Sequence, residues 1–235
     1  MDEWNHWERS LGRLRETRHE REMWLRAEGD FILGLAHRAG QRTPTSIRRV
    51  LQIGAGPVDV IHYLNVPERF AIDPLADRYK ETYAEFQDDD VDYVTGFGES
   101  LPYPNDRFDL VVIRNALDHV HSPSSTLKET RRVLTKDGLL YVWVYVYGMW
   151  TSFTYRTVNA VTKRYESEPW AFTQSRLEGL LKRYGIEICL PSCTEKYPAE
   201  TRPPPQSLRG WLARCFLNLP PSGLKGFSCI AKPVK

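Results

Sequence analysis

The sequence predicts an α/β protein: a Rossmann-like, mostly parallel sheet with helices on both faces. Three observations carry this. From Arg49 onward, short apolar and β-branched runs alternate with helical stretches, the signature of strand–helix–strand units. The first run, "VLQIGAGP" at residues 50–57, passes from a buried strand into a glycine turn. The second, "RFAID", ends on a carboxylate, Asp73, nineteen residues beyond Gly54.

The elements follow in order. Residues 1–40 form an N-terminal helical extension, because Trp4, Trp7, Leu11 and Leu14 recur at helical spacing and Trp24, Phe31, Ile32 and Leu35 resume the stripe. "GQRTPTS" breaks that helix, and residues 41–235 form the main domain. Its strands are "RRVLQIG", "RFAID", "DYVTG", "FDLVVIR", "GLLYVWVYVY", "IEICLP" and "GFSCIAKP", and helices are expected after Pro57, Leu75, Ser124 and Thr173. Two insertions interrupt the rhythm, at about 148–172 and 194–224, where loops are placed to cover a pocket.

Composition narrows the classes. The 235 residues suffice for one domain with a full core. A net charge of +2 gives no field that demands nucleic acid. The opening residues lack the apolar core of a secretory signal, and no run approaches the roughly 18 apolar residues of a membrane span. Four cysteines (Cys189, Cys193, Cys215 and Cys229) show no paired C-x-x-C spacing, so a metal site is not expected and a cytoplasmic location is.

The loop chemistry is more specific. Gly54 and Gly56 lack Cβ, so the backbone can approach a ligand closely, and Pro57 and Asp59 suit the first turn of a helix. Asp73 is placed to accept hydrogen bonds from ribose hydroxyls or, equally, to cap the next helix. A dinucleotide loop needs G-x-G-x-x-G. Its third glycine falls here on Asp59, which favours a ligand without phosphates over a nicotinamide dinucleotide.

These residues resemble the class I S-adenosylmethionine-dependent methyltransferases, in the small-molecule and glycan branch. The resemblance runs through "VLQIGAGP", "AIDPLADRY", "ESLPYPNDRFDLV", "LDHV", "ETRRVLTKDG" and "AFTQSRLEGLLKRYGIEI", spanning Arg49 to Ile188. It implies a seven-stranded sheet whose last strand lies antiparallel beside the sixth. It also implies that S-adenosylmethionine is bound, and S-adenosylhomocysteine released, at Gln52, Gly54, Ala55, Gly56, Asp73, Pro74, Phe97, Gly98, Glu99, Arg114 and Asn115. Three positions depart from the family. Gln52 replaces an acid that in relatives helps hold the ammonium group, Val58 replaces the third glycine of their loop, and Phe97 replaces an acid that reads the adenine.

Methyl transfer to an oxygen acceptor gains from a base, and Asp118, His119 and His121 in "LDHVHSP" are the candidates, with Tyr147 beyond the fifth strand. His119 equally serves to brace the loop. The acceptor, a small molecule, a glycan or a lipid-linked group, is expected near "MWTSFTYRTVNAVTKRYESEPWAF", with Trp150, Phe153, Tyr155, Tyr165 and Trp170 as an aromatic wall and Arg156, Lys163 and Arg164 near it. The same aromatics equally form a small core. "SLRGWLARCFLNL", residues 207–219, is amphipathic. Its face suits sheet packing, a homodimer contact or a peripheral membrane contact. A non-catalytic binding protein on the same fold is the competing reading of the three departures. A nicotinamide oxidoreductase and a nucleic-acid methyltransferase fit less well, the latter for want of a basic surface or an N/D-P-P-Y-type motif.

Overall fold

The computed structural model describes residues 3–40, 47–162, 169–190, 193–196 and 225–234. Two helices, α1 (Glu3–Glu16) and α2 (Arg18–Gly40), precede the sheet. They break at Thr17, so the expected extension is two helices and not one. In chain order there follow β1 (Arg49–Ile53), β2 (Glu68–Asp73), α3 (Ala76–Thr82), β3 (Val91–Thr95), β4 (Phe108–Arg114) and α4 (Pro123–Val133). The chain continues through β5 (Leu134–Val146), α5 (Met149–Thr162), α6 (Gln174–Arg183), β6 (Ile186–Ile188), β7 (Cys193–Lys196) and β8 (Lys225–Pro233).

The strands lie in the order β3-β2-β1-β4-β5-β8-β6, with β7 also paired to β8. The pairs among β1 to β5 are parallel, and β8 runs antiparallel to both β5 and β6. β6 and β7 follow one another along the same edge of β8, so eight strands fill the seven expected positions. The predicted Rossmann-like sheet with an antiparallel last strand is what the chain forms.

Alternation along each strand sorts the core into two layers. Leu51, Ile53, Phe70, Ile72, Val111, Ile113 and Val142 face α4 and α6, meeting Leu127, Leu177 and Leu181. Val50, Ala71, Leu110, Val112, Tyr141 and Ile230 face the other way, against Leu25, Ile32 and Ala36 of α2 and Leu14 of α1. The buried stripe of α2 is therefore rotated from the predicted one, and Trp24 and Phe31 are about half exposed. Aromatic packing docks α1: Trp4 stacks near Tyr79 and meets the edge of Tyr83, while Trp7 meets the edge of Tyr79.

The helix expected after Pro57 does not form. Asp59 is extended and caps a 3-10 turn at Val60–Tyr63, which ends at an extended Leu64. Pro67 follows closely and disfavours helix in the residue before it. α2 packs directly on this turn, where a Cβ on Gly29 would lie 3.1 Å from the Tyr63 carbonyl oxygen. A helix from the N-terminal extension thus covers the short β1–β2 crossover.

Among the described residues no helix is long and apolar enough to cross a membrane. Most of the 194–224 insertion lies outside the described residues, and with it the amphipathic 207–219 segment. Residues 149–162 of the other insertion form α5.

Candidate functional site

The carboxyl ends of β1, β2 and β4 open into one cavity of about 550 Å³, within the range that holds small molecules. In an open parallel sheet this is the crevice where ligands are bound. Its floor is the turn after β1. Gly54 (φ +70°) and Gly56 (φ +57°) both take the left-handed conformation that L side chains avoid. A Cβ on Gly54 would lie 2.4 Å from that of Ala116, and one on Gly98 would meet Ile53 Cγ2 at 2.8 Å. The backbone here is packed too tightly for a side chain at either position.

Asp73 ends β2 with its carboxylate in the cavity wall and only 5% of the residue exposed. Oδ2 accepts the Gly56 N–H at 2.9 Å and Oδ1 accepts the Leu75 N–H at 2.9 Å. The carboxylate therefore holds the glycine turn, and each oxygen keeps lone-pair capacity for a ligand hydroxyl. Pro74, Phe97, Gly98 and Glu99 line the same wall. Glu99 Oε1 accepts the Ser122 N–H at 3.0 Å, which ties this loop to the start of α4. Phe97, half exposed, meets the His121 ring edge-on with centroids 6.0 Å apart.

Arg114 and Asn115 line the β4 lip. Asn115 is a non-glycine residue at φ +48°, a conformation asparagine tolerates; its N–H donates to Trp143 O at 2.7 Å. Arg114 is bound to protein partners. Its Nε donates to Glu28 Oε1 at 2.9 Å and its Nη1 to both Asp59 oxygens at 3.2 Å. Burial opposes the charge on Arg114, but the facing Asp59 and Glu28 outweigh it and hold the guanidinium more firmly charged than usual.

The structure brings Gly54, Ala55, Gly56, Asp73, Pro74, Phe97, Gly98, Glu99, Arg114, Asn115, His119 and His121 to one cavity, and leaves Gln52, Asp118 and Tyr147 off its wall. Gln52 is fully buried, and its Oε1 accepts the Ile61 N–H at 2.9 Å. Strand alternation turns it toward the α2 layer, away from the ligand. Asp118 is buried in the turn after β4, 3.9 Å from His119 Nε2, behind the histidine and off the cavity. The predicted aromatic wall also lies elsewhere. Trp150 and Phe153 are 73% and 65% exposed, and Trp170 donates to Val120 O at 2.8 Å while packing on the core. Tyr155 is buried beside Tyr147. Tyr165, Lys163 and Arg164 lie outside the described residues.

Among the wall residues not expected from the sequence are Trp7, Arg21 and Asp59. Trp7 sits over the glycine turn, its Cζ2 3.3 Å from where a Gly56 Cβ would be. Asp59 was assigned only to a helix dipole, and Arg21 lay in a helix read as packing. Among the described residues no cluster of His, Cys, Asp and Glu is arranged to hold a metal.

Residues 51–142, the stretch that builds this cavity, match the model of the family described as "Methyltransferase domain". This stretch is therefore similar to a methyltransferase domain. A curated relative, an uncharacterized methyltransferase named YcgJ from Bacillus subtilis, is 33% identical over 95 residues, or 38% of each chain. Demethylmenaquinone methyltransferase of Renibacterium salmoninarum is 30% identical over 90 residues, 35% of this chain and 38% of its own. The matched part thus spans under two-fifths of these relatives. The fold likeness reaches further. The solved B. subtilis YcgJ structure aligns at TM-score 0.63 and 19% identity, over 86% of this chain and 98% of its own. A complex of the Haloferax volcanii Trm112 methyltransferase activator with a methyltransferase aligns at 0.61 and 15% identity, over 100% and 99%. The methyltransferase domain implies S-adenosylmethionine as methyl donor.

Proposed function

We propose that this chain is an S-adenosylmethionine-dependent methyltransferase whose acceptor is a small molecule, a glycan or a lipid-linked group. The observation that carries the reading is Asp73: a buried carboxylate that ends β2, holds the Gly54–Gly56 turn by hydrogen bond and lines the cavity above it. The residues present fit the donor. Gly54 and Gly98 pack too tightly to carry a Cβ and so present bare backbone at the wall, Asp73 offers acceptors for ribose hydroxyls, and Phe97 offers a ring face or edge for the purine. When bound, S-adenosylmethionine supplies an electrophilic methyl group.

The chain's own contribution is placement. Asn115 and the neighbouring Ala116 form the lip from β4, and closing the reacting atoms into this walled space excludes water and fixes their approach. His119 and His121 line the cavity and are the groups placed to take a proton from a hydroxyl acceptor. Asp118 lies off the wall, 3.9 Å from His119 Nε2, and has no direct role.

Gln52 bears on the competing reading of a non-catalytic relative. Its amide supports the 3-10 turn, so the lost acid at this position does not by itself disable the cavity. Isothermal titration with S-adenosylmethionine and S-adenosylhomocysteine tests the proposal. Micromolar binding with a raised thermal midpoint is the expected result. No heat and no thermal shift at millimolar ligand would refute it.

A further inference from the structure

We propose that Arg21 and Asp59 form a receptor for the zwitterionic α-amino-acid end of the cofactor, so that helix α2, outside the matched domain, completes the cofactor site. The inference rests on the reading of this cavity as a site for S-adenosylmethionine.

Charge pairing at the β4 lip is the first argument. Four ionisable side chains from three parts of the chain meet there: Arg21 and Glu28 from α2, Asp59 after the glycine turn, and Arg114 at the end of β4. Arg114 takes both carboxylates, Glu28 at 2.9 Å and Asp59 at 3.2 Å. Arg21 lines the cavity with its Nε buried and without a hydrogen-bond partner. Among the described residues it has no ion pair. A buried guanidinium N–H with no acceptor is costly and uncommon. Burial, and then the like charge of Arg114, weaken the hold of Arg21 on its proton, so the site gains from an incoming anion. A planar fork of donors matches a carboxylate.

Gln52 supplies the second argument. The family's acid for the ammonium group is absent at this position, and the amide present is committed to Ile61 N–H on the opposite face of the strand. Seven residues later, Asp59 stands on the cavity wall. Its Oδ1 caps Val60 N–H and both oxygens face Arg114 Nη1, and a carboxylate has about four lone-pair sites. It retains acceptor capacity for an ammonium. A zwitterion adds one charge of each sign and no net charge, which suits a cluster that already holds two cations and two anions. Asp73, on the far side of Gly56, is left to the ribose.

Titration calorimetry with three ligands tests this on the full chain. S-Adenosylhomocysteine carries the whole amino-acid end, its decarboxylated analogue lacks only the carboxylate, and 5′-methylthioadenosine lacks both groups. The wild-type protein is expected to bind S-adenosylhomocysteine roughly ten- to a hundredfold tighter than the decarboxylated analogue. Arg21→Gln is expected to abolish that difference and leave methylthioadenosine affinity within about twofold. Asp59→Asn keeps an oxygen for the cap and is expected to weaken the decarboxylated analogue but not methylthioadenosine. Equal loss for all three ligands in Arg21→Gln, or no loss, would overturn the receptor while leaving the cofactor reading standing. Should wild-type protein bind none of them, both fall together. If Arg21→Gln fails to fold, the wild-type comparison of the first two ligands still decides, because equal affinities exclude a carboxylate receptor.

Discussion

Arg114 at the end of β4 and Glu28 on α2 meet at 2.9 Å with side chains only 12% and 11% exposed. This pair fastens the N-terminal helices to the lip of the cavity. The Arg114 guanidinium also lies over the rings of Trp24 and Trp143, at 4.7 and 5.4 Å, so a single side chain joins α2, the glycine-turn region, β4 and β5. Removing one partner of a buried pair leaves the other charge uncompensated, which typically costs about 3–5 kcal/mol.

Arg114→Met is therefore expected to lower unfolding free energy by about 3 kcal/mol, because it removes the cation that faces Glu28 and Asp59. Glu28→Gln should cost less, since Arg114 keeps Asp59. The double variant should be more stable than the sum of the single losses predicts, by about 1–3 kcal/mol of coupling. Urea denaturation of the four proteins measures it. Strict additivity would show that the pair does not couple the two elements.

His62 gives the fold a pH dependence of known sign. Its Nε2 hydrogen-bonds the Tyr93 hydroxyl beneath the 3-10 turn, and burial depresses its pKa from 6.5 to about 4, against the opposing pull of Asp59 and Asp88. The native state holds His62 neutral while the unfolded chain protonates near 6.5. The stability from this group is thus complete above pH 6.5 and falls as pH drops toward 4, by up to about 3 kcal/mol. His62→Gln should flatten the slope of unfolding free energy between pH 6.5 and 4.5 relative to wild type. Parallel slopes for the two proteins would refute this.

The strand–helix alternation and the gathering of Gly54 to Asn115 about one cavity were legible in the sequence because they are local or collinear signals, and the antiparallel last strand was implied by the resemblance. The orientation of Gln52 was also legible in principle, since Leu51 and Ile53 alternate with Val50 and Gln52, but motif position was given priority over strand parity. The short 3-10 turn was not legible. "PVDVIHYL" opens with Pro57 and Asp59, which suit a helix start, but its β-branched Val58, Val60 and Ile61 favour helix weakly, and α2 lies on the turn at Tyr63, a contact some 30 residues distant in sequence. Arg21 and Trp7 were invisible for the same reason. Periodicity identifies which face of a helix is buried, and an arginine on that helix looks solvated until the helix is laid against a cavity.

Gly54 is the position least able to accept a side chain. Gly54→Ala must fit a Cβ 2.4 Å from that of Ala116 and hold φ near +70°. The conformation alone costs roughly 1–2 kcal/mol, and the clash adds to it. We expect a loss of several kcal/mol in stability, and a second substitution, Ala116→Gly, should recover the part due to the clash and leave the part due to φ. Thermal and urea unfolding of the two variants separates them. No recovery in the double variant would place the whole cost on the backbone.

Asp73 holds the glycine turn and, in the proposed function, the ribose, and one substitution divides the two duties. Asp73→Asn keeps the shape and one carbonyl oxygen, so it can still accept either the Gly56 or the Leu75 N–H, but its amide NH2 faces a donor at the other position. Part of the loss must therefore appear without ligand, as a fall of about 1–3 kcal/mol in unfolding free energy. The remainder should appear only with ligand, because a charged acceptor for ribose hydroxyls becomes a neutral one; roughly a ten- to hundredfold weaker affinity for S-adenosylhomocysteine is expected. Removing the ribose 2′-hydroxyl from the ligand gives the control. The 2′-deoxy analogue should bind wild type more weakly and Asp73→Asn with little further loss, whereas an unchanged penalty in the variant would show that Asp73 holds the turn and not the ribose.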